Sequence, residues 1–290
     1  MTIIAGFKCS EGIILCADTQ ETTEVSKRNV PKLRFEPSEH FLGLAIPKHK
    51  SDFAVAFGGA GHGPFIDKLV ENAWQNSQAA TSLDGVCDEI EKSIKATYKE
   101  FGEIYQSGFC PSAQLIYGVK MHNNSRLFTA HGPVVNETDG YDSQGIGYYL
   151  ADFICKRMYN HALTLKQCAI LAAYVLFQVK ENVDGCGGES HIAILRNGGS
   201  SGLIDNDRIE QLSKLLSWSD QDLGQILLAI ADLEISDDNL KAKFEQAVEL
   251  TKLFRDQAKQ DIRSADDRHD MFSGTEERDF FGLPPDKAKM

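Results

Sequence analysis

The sequence lacks a long apolar segment, a secretion signal and any dense cluster of basic residues. Its longest apolar run, residues 168–177, is ten residues long, whereas a helix that spans a membrane needs about 18 or more. Residues 1–6 have neither the basic start nor the apolar stretch of a secretory signal. No basic run is denser than Lys27-Arg28, and 30 Lys and Arg face 42 Asp and Glu. Because nucleic-acid binding relies on clustered basic residues, we expect a cytoplasmic protein without nucleic-acid or membrane partners.

The seven cysteines never occur in a C-x-x-C pair. This spacing disfavours a zinc ribbon and a thioredoxin-like redox motif. The number is odd, and Cys16, Cys155 and Cys168 lie within apolar patterns, which is typical of reduced, buried cysteines in a cytosolic protein. Hydrophobic residues make up 42% of the chain and charged residues 25%, values that exclude wholesale disorder.

Short apolar runs predict strands in the first 60 residues, and helical periodicity begins near Pro64. The predicted strands are residues 3–7, 13–17, 32–35, 41–46, 53–57, 113–121, 126–131 and 191–195. The predicted helices are about residues 65–74, 86–101, 149–160 and 165–183, and the last opens with a capping box at Thr164 and Gln167. Runs of strands followed by runs of helices favour an α+β fold. Two antiparallel sheets with a helix pair outside each would bury every apolar stripe, so we predict a four-layer αββα sandwich.

The C-terminal part differs in character from the rest of the chain. A Gly- and Ser-rich segment follows residue 196, so we place the main domain at residues 2–199. Ser219 and Ser236 each resemble a helix N-cap, which predicts a helical extension over residues 203–262. Polarity is high and periodicity is lost beyond Arg263, so residues 263–290 are predicted to be a flexible acidic tail.

Thr2 is the first candidate for chemistry. Threonine is small enough for the initiator methionine to be removed, and an N-terminal threonine combines a hydroxyl nucleophile with its own base. The α-amino group has a reference pKa of about 7.7–8.0, close to working pH.

The predicted hairpin supplies two charged neighbours. If the turn is centred on Ser10, Asp18 stands opposite Thr2 on the same face. A register one residue away would still place Asp18 diagonally near Thr2. Lys32 opens another strand, and a lysine beside Asp18 would stay charged and lower the pKa of the Thr2 amine. The residues alone favour the other interpretation, an ion pair at a strand edge marked by Pro31.

Three segments carry a family resemblance. Residues 2–6 (Thr-Ile-Ile-Ala-Gly), 12–19 (Gly-Ile-Ile-Leu-Cys-Ala-Asp-Thr) and 29–33 (Asn-Val-Pro-Lys-Leu) resemble the start of proteasome β subunits and bacterial HslV. These proteins are N-terminal nucleophile (Ntn) hydrolases with an αββα fold. The resemblance covers about residues 2–196 and implies that Thr2 is the nucleophile, supported by Asp18 and Lys32.

A glycine-rich segment follows the strand at residues 53–57. Gly58-Gly59 resembles the family's glycine pair, which implies that the Gly58 N–H is the oxyanion donor; such a donor typically contributes about 10²–10³ in rate. A phosphate loop is the competing interpretation of residues 58–63. It lacks the Gly-Lys-Ser/Thr ending of a P-loop, and Pro64 replaces the last glycine of a dinucleotide fingerprint.

Accessory positions depart from the family pattern. Ile146, between Gly145 and Gly147, replaces a serine. Cys186 takes another serine position, and Val183 stands where an aspartate is usual, although Asp184 is one residue away. These departures concern proton handling and substrate range and leave the three main positions intact.

The resemblance implies a threonine peptidase or amidase without a metal or organic cofactor. Thr2 Oγ attacks an amide carbonyl, the α-amine takes its proton, Lys32 tunes the amine, Asp18 holds Lys32, and the Gly58 N–H receives the oxyanion. It also implies a peptide or protein substrate and a homo-oligomeric ring, with any unfoldase partner unknown.

The sequence leaves two alternatives open. A protein ligase would pass the same acyl-enzyme to an amine. A catalytically inactive ring or scaffold subunit would make no use of Thr2, and the departures at Ile146 and Val183 motivate that alternative.

Overall fold

The structure is a computed structural model that describes residues 2–22, 27–37, 53–104, 111–204 and 206–269. The chain divides into two compact units between Asn206 and Asp207. The strands are β1 (Ile3–Cys9), β2 (Gly12–Asp18), β3 (Gln20–Thr22), β4 (Lys27–Asn29), β5 (Leu33–Glu36), β6 (Phe53–Gly61), β7 (Ala113–Met121), β8 (Asn124–His131), β9 (Val134–Thr138), β10 (Tyr141–Gly145), β11 (Ser190–Arg196) and β12 (Gly202–Ile204). The helices are α1 (Gly63–Ser77), α2 (Leu83–Ile104), α3 (Tyr148–Met158), α4 (Leu165–Asn182), α5 (Asn206–Ala231) and α6 (Asp237–His269).

The strands of the first unit form two five-stranded antiparallel sheets and a two-stranded ribbon. One sheet has the order β10-β1-β2-β11-β12, the other has the order β5-β6-β7-β8-β9, and β3 pairs with β4. The predicted α+β class with antiparallel sheets is therefore confirmed.

Apolar side chains fill the space on both faces of the sheet that contains β6 and β7. On one face, Phe57, Leu115 and Tyr117 pack with Phe65 of α1 and Ile90 of α2. On the other face, residues of β5–β8 pack with residues of β1, β2 and β11. Helix α4 contacts β1, β2 and β11 and also contacts α3. The packing of helices on sheets and of sheet on sheet buries the apolar positions that recur along the predicted helices and strands.

The β1–β2 hairpin differs from the predicted register by one residue. Ile4 pairs with Ala17 and Cys9 pairs with Gly12, so the register places Asp18 opposite Ile3 and not opposite Thr2. The prediction was wrong because the turn contains two residues, 10 and 11, and has no central residue. Two-residue turns are the commonest hairpin connections.

The secondary structure shows further differences from the predictions. The capping box at Thr164 and Gln167 is present. Strands β9 and β10 were not predicted, because their sequences, VVNET and YDSQG, are short and mostly polar. The predicted strand at residues 41–46 lies outside the described residues.

The second unit consists mainly of α5 and α6. Helix α5 begins at Asn206, well before the predicted cap at Ser219, whose hydroxyl instead donates to the Leu215 carbonyl within the helix (3.0 Å). Ser236 caps α6, because its hydroxyl accepts from the Asn239 N–H (3.3 Å). Helix α6 continues to His269, so residues 263–269 of the predicted tail are helical, and residues 270–290 lie outside the described part.

Candidate active site

The candidate site forms where β1 begins and β2 ends. Thr2 directly precedes β1, and Asp18 is the last residue of β2. Both side chains are buried, and Asp18 has no exposed surface. Burying a carboxylate is costly unless hydrogen bonds and an opposite charge compensate it, so its partners define the site.

Asp18 accepts four hydrogen bonds. Its Oδ1 atom accepts from Thr2 Oγ1 (2.5 Å), from the Ile3 N–H (3.1 Å) and from Lys32 Nζ (2.7 Å). Its Oδ2 atom accepts from the Gly187 N–H (2.9 Å). The structure therefore brings together Thr2, Asp18 and Lys32, three of the residues singled out from the sequence.

Lys32 is held from two sides. Its ammonium donates to Asp18 and also to the carbonyl oxygen of Gln20, and its side chain is 10% exposed. Burial lowers the pKa of Lys32 below its ordinary value, and the charge and hydrogen bond of Asp18 oppose this shift. The ammonium is thus paired but poorly solvated.

The segment after α4 forms one wall of the site. The Gly187 carbonyl accepts from the Gln20 N–H (2.9 Å) while the Gly187 N–H binds Asp18. Cys186 is buried, and burial raises the pKa of its thiol to about 12, with the Asp18 charge acting in the same direction and Lys32 against it. Asp184 is exposed. Of these two residues, Cys186 is therefore the buried one, and it interacts electrostatically with both Asp18 and Lys32.

A tight turn after β10 packs against the main chain of Thr2. The Gly147 N–H donates to the Thr2 carbonyl (3.3 Å). Gly145 has φ +91°, and a Cβ atom there would lie 2.3 Å from the same carbonyl oxygen. Ile146, between them, is 46% exposed. The turn requires glycine at position 145, whereas Ile146 projects away from the buried cluster.

Gly58 lies within the sheet, in β6 between β5 and β7. The Gly59 N–H donates to the Lys32 carbonyl (3.1 Å), and Gly58 is paired with Ile116 of β7. Successive N–H groups of a strand face opposite edges. The register therefore directs the Gly58 N–H toward β7, and its oxyanion role stays a prediction.

Two main-chain groups of the site were not predicted from the sequence, namely the Gly187 N–H and the Gln20 carbonyl. The Cys186-Gly187-Gly188 motif pointed to the correct segment without indicating which group binds Asp18. For Gln20 the sequence contains no signal, since any residue supplies a carbonyl.

The described residues contain no group of three or more His, Cys, Asp or Glu side chains arranged to hold a metal ion. Likewise, no helix in the described part of the chain has both the length and the apolar character needed to cross a bilayer.

No protein-family model matches the chain, and no curated protein sequence matches it. Solved structures of Anbu proteins share its fold. Anbu (a Gly-1 mutant) from Hyphomicrobium sp. strain MC1 has a TM-score of 0.62 at 16% identity, with 80% of this chain and 100% of that chain covered. Anbu, an ancestral β-subunit, from Yersinia bercovieri has a TM-score of 0.61 at 13% identity, with 81% and 98% covered.

A third structure, the helical assembly of the Anbu complex from Pseudomonas aeruginosa, has a TM-score of 0.60 at 10% identity, with 77% of this chain and 95% of that chain covered. These comparisons correct the family assignment made from the sequence, because these three structures of similar fold are Anbu proteins, one of them described as an ancestral β-subunit, and give no direct evidence for HslV or another Ntn hydrolase. The motifs around Thr2, Asp18 and Lys32 describe the geometry of one site, which does not distinguish between families. The fold of this chain is similar to that of these Anbu proteins.

Proposed function

We propose that this chain is an amide hydrolase in which Thr2, exposed by removal of Met1, is the nucleophile. One observation carries the proposal: a buried carboxylate, Asp18, binds both the Thr2 hydroxyl (2.5 Å) and the Lys32 ammonium (2.7 Å). An ion pair that served only the fold would not need a hydroxyl at the second residue of the chain.

In the proposed reaction, Thr2 Oγ attacks the carbonyl carbon of an amide and forms a new C–O bond. The hydroxyl proton passes to the free α-amine of Thr2, which then delivers it to the departing amine as the C–N bond breaks. Asp18 Oδ1 already accepts three hydrogen bonds, which leaves it badly placed to take this proton. Water hydrolyses the resulting ester and restores Thr2.

The charges of the site support these roles. Lys32 places a positive charge beside the nucleophile, and a nearby cation lowers the pKa of an amine. Asp18 orients the hydroxyl and holds Lys32. Gly187 and Gln20 fix these two side chains through main-chain hydrogen bonds, so the site is preorganised before a substrate binds.

The proposal extends to the architecture and the setting of the protein. We place the two sheets face to face in a four-layer αββα sandwich, since residues of β1, β2 and β11 share a core with residues of β5–β8. We propose a cytoplasmic homo-oligomer that cleaves peptides or proteins, because a protein of similar fold forms a helical assembly and an enclosed site would restrict access to unfolded chains.

The test is the intact mass of the full chain before and after incubation with a peptide epoxyketone or β-lactone. We expect loss of Met1 followed by a single adduct, absent in Thr2→Ala and present in Thr138→Ala, a matched control on the edge strand β9. Retention of Met1, or an adduct that persists in Thr2→Ala, would contradict the proposal. If the acyl group is transferred to an added amine and not to water, the chain is a ligase.

A further inference from the structure

Lys180, in the last turn of α4, directs its ammonium toward a buried serine. Lys180 Nζ donates to Ser190 Oγ (3.1 Å), and Ser190 is 2% exposed. Within the described part of the chain, Lys180 has no carboxylate at ion-pair distance, whereas Lys156 at the end of α3 pairs with the partly exposed Asp152. A lysine that gives its hydrogen bond to a buried hydroxyl fixes the position of that hydroxyl.

Ser190 is the direct neighbour of the site carboxylate. It is the first residue of β11 and pairs with Asp18 of β2. Directly opposite residues of an antiparallel pair project from the same face of the sheet, so the Ser190 and Asp18 side chains share a face. The Ser190 N–H is held by Asn206 Oδ1 (3.2 Å), which fixes the main chain of Ser190 independently of Lys180.

The Lys180–Ser190 hydrogen bond joins the two ends of residues 181–189. This segment contains Gly187, whose N–H donates to Asp18 Oδ2. The C-terminal end of the segment binds the main chain that follows β2, because the Thr19 N–H donates to the Glu189 carbonyl (3.1 Å). The segment is therefore fixed at its C-terminal end, and at its N-terminal end Lys180 adds a side-chain hydrogen bond to β11 to the packing of α4 against β2 and β11.

We propose that Lys180 is a positioning residue for the Thr2 site. By closing residues 181–189 through Ser190, it holds the Gly187 N–H on the carboxylate that binds Thr2 and Lys32. The inference rests on the proposed function of Thr2 and adds a residue outside direct contact with the nucleophile. A solely structural alternative exists, because a lysine in the last turn also stabilises the negative end of a helix dipole.

The rate of Thr2 acylation distinguishes the two roles. In Lys180→Met we expect the acylation rate constant at saturating epoxyketone to fall about tenfold, and by up to about 10²-fold if Gly187 moves by 1 Å. The probe concentration giving half of the maximal rate should be unchanged. Lys180→Arg should restore the rate, and Lys156→Met, which removes the corresponding lysine from α3, should react as the wild type does.

A second measurement does not depend on activity. Hydrogen–deuterium exchange in residues 183–189 should be faster in Lys180→Met and in Ser190→Ala than in the wild type. The double variant should exchange no faster than either single variant, because both remove the same hydrogen bond.

The two proposals fail in different ways. A wild-type protein that never forms the adduct contradicts the function of Thr2, while the exchange experiment still decides the role of Lys180. Wild-type exchange and wild-type acylation in Lys180→Met would overturn the inference. So would a melting temperature lowered equally in Lys180→Met and Lys156→Met with no change in residues 183–189, since that result indicates a helix-dipole effect alone.

Discussion

Thr2 Oγ1 lies 2.5 Å from Asp18 Oδ1, although the β1–β2 register places Asp18 opposite Ile3. The hydroxyl reaches the carboxylate diagonally across the end of the hairpin, where Thr2 precedes the first strand. The same Oδ1 atom accepts from the Ile3 N–H (3.1 Å), so the carboxylate fixes both the side chain of Thr2 and the peptide bond that follows it. The position of Thr2 therefore depends on the charge and hydrogen bonds of Asp18.

Replacement of Asp18 by asparagine tests this dependence. The amide keeps the size of the side chain, but it leaves Lys32 buried without its carboxylate partner. The amide NH₂ group also faces groups that themselves donate hydrogen bonds to Asp18. Removing one partner of a buried ion pair typically costs about 3–5 kcal/mol, and we expect a lower free energy of unfolding in urea together with loss of the Thr2 adduct.

Asp139 provides the matched control. It pairs with Lys8 at 2.9 Å, but its side chain is 81% exposed, and solvent screens an exposed ion pair so that it contributes little to stability. Asp139→Asn should therefore unfold and react nearly as the wild type does. Equal effects of the two substitutions on stability and acylation would show that the Asp18 carboxylate has no special role.

The pH dependence of acylation reports on Lys32. The rate should rise as the Thr2 amine loses its proton, around or below its reference pKa of about 7.7–8.0. Because burial lowers the pKa of Lys32 from 10.5, the rate should fall again at a pH below 10.5, where the ammonium loses its charge. Arginine stays charged throughout this range, so Lys32→Arg should lose the alkaline decline. A decline that is identical in both proteins would assign it to another group.

The lowered pKa of Lys32 also determines the direction of its effect on stability. Between the folded pKa and 10.5 the unfolded chain binds more protons than the folded chain, so the contribution of Lys32 to the free energy of unfolding rises with pH. Below the folded pKa both states are protonated, and the burial cost is constant. Urea midpoints measured from pH 8 upward for the wild type and Lys32→Met should diverge in this direction.

The side-chain part of the site was predictable from the sequence because it is built from a local hairpin. Thr2 and Asp18 lie at the same end of β1 and β2, and any register near the observed one brings them together. Lys32 follows Asp18 by only 14 residues. A short connection of this kind leaves few places where Lys32 can lie other than near Asp18.

The remaining part of the site depends on main-chain groups, which every residue possesses. The Gly187 N–H reaches Asp18 from a segment 169 residues away in sequence, and no side-chain pattern indicates that contact. Gly58 is a second case in which a main-chain group matters. Its motif predicts an oxyanion donor, whereas the strand β6 continues to Gly61 and its register directs the Gly58 N–H toward β7.

Gly145 offers a test of the turn that supports Thr2. A Cβ atom at Gly145 would lie 2.3 Å from the Thr2 carbonyl oxygen and 2.8 Å from Thr2 Cγ2. Gly145 is held in β10, whereas Thr2 precedes β1. The collision in Gly145→Ala should therefore displace Thr2 from Asp18. We expect the free energy of unfolding to fall by more than the roughly 1–2 kcal/mol that a left-handed conformation alone costs a non-glycine residue, and we expect the Thr2 adduct to be lost.

Substitution of Gly132 distinguishes the cost of backbone strain from the cost of the collision with Thr2. It also has a positive φ, +61°, but a Cβ atom there would meet nothing within 4 Å. Gly132→Ala should therefore cost only the conformational strain, about 1–2 kcal/mol, and leave acylation unchanged. If Gly145→Ala lowers the urea midpoint no more than Gly132→Ala and still forms the adduct, the turn after β10 does not position the nucleophile. A large difference in both measurements would instead show that the main chain of Thr2 is held against Gly145, which is why the hydroxyl keeps a single direction toward Asp18.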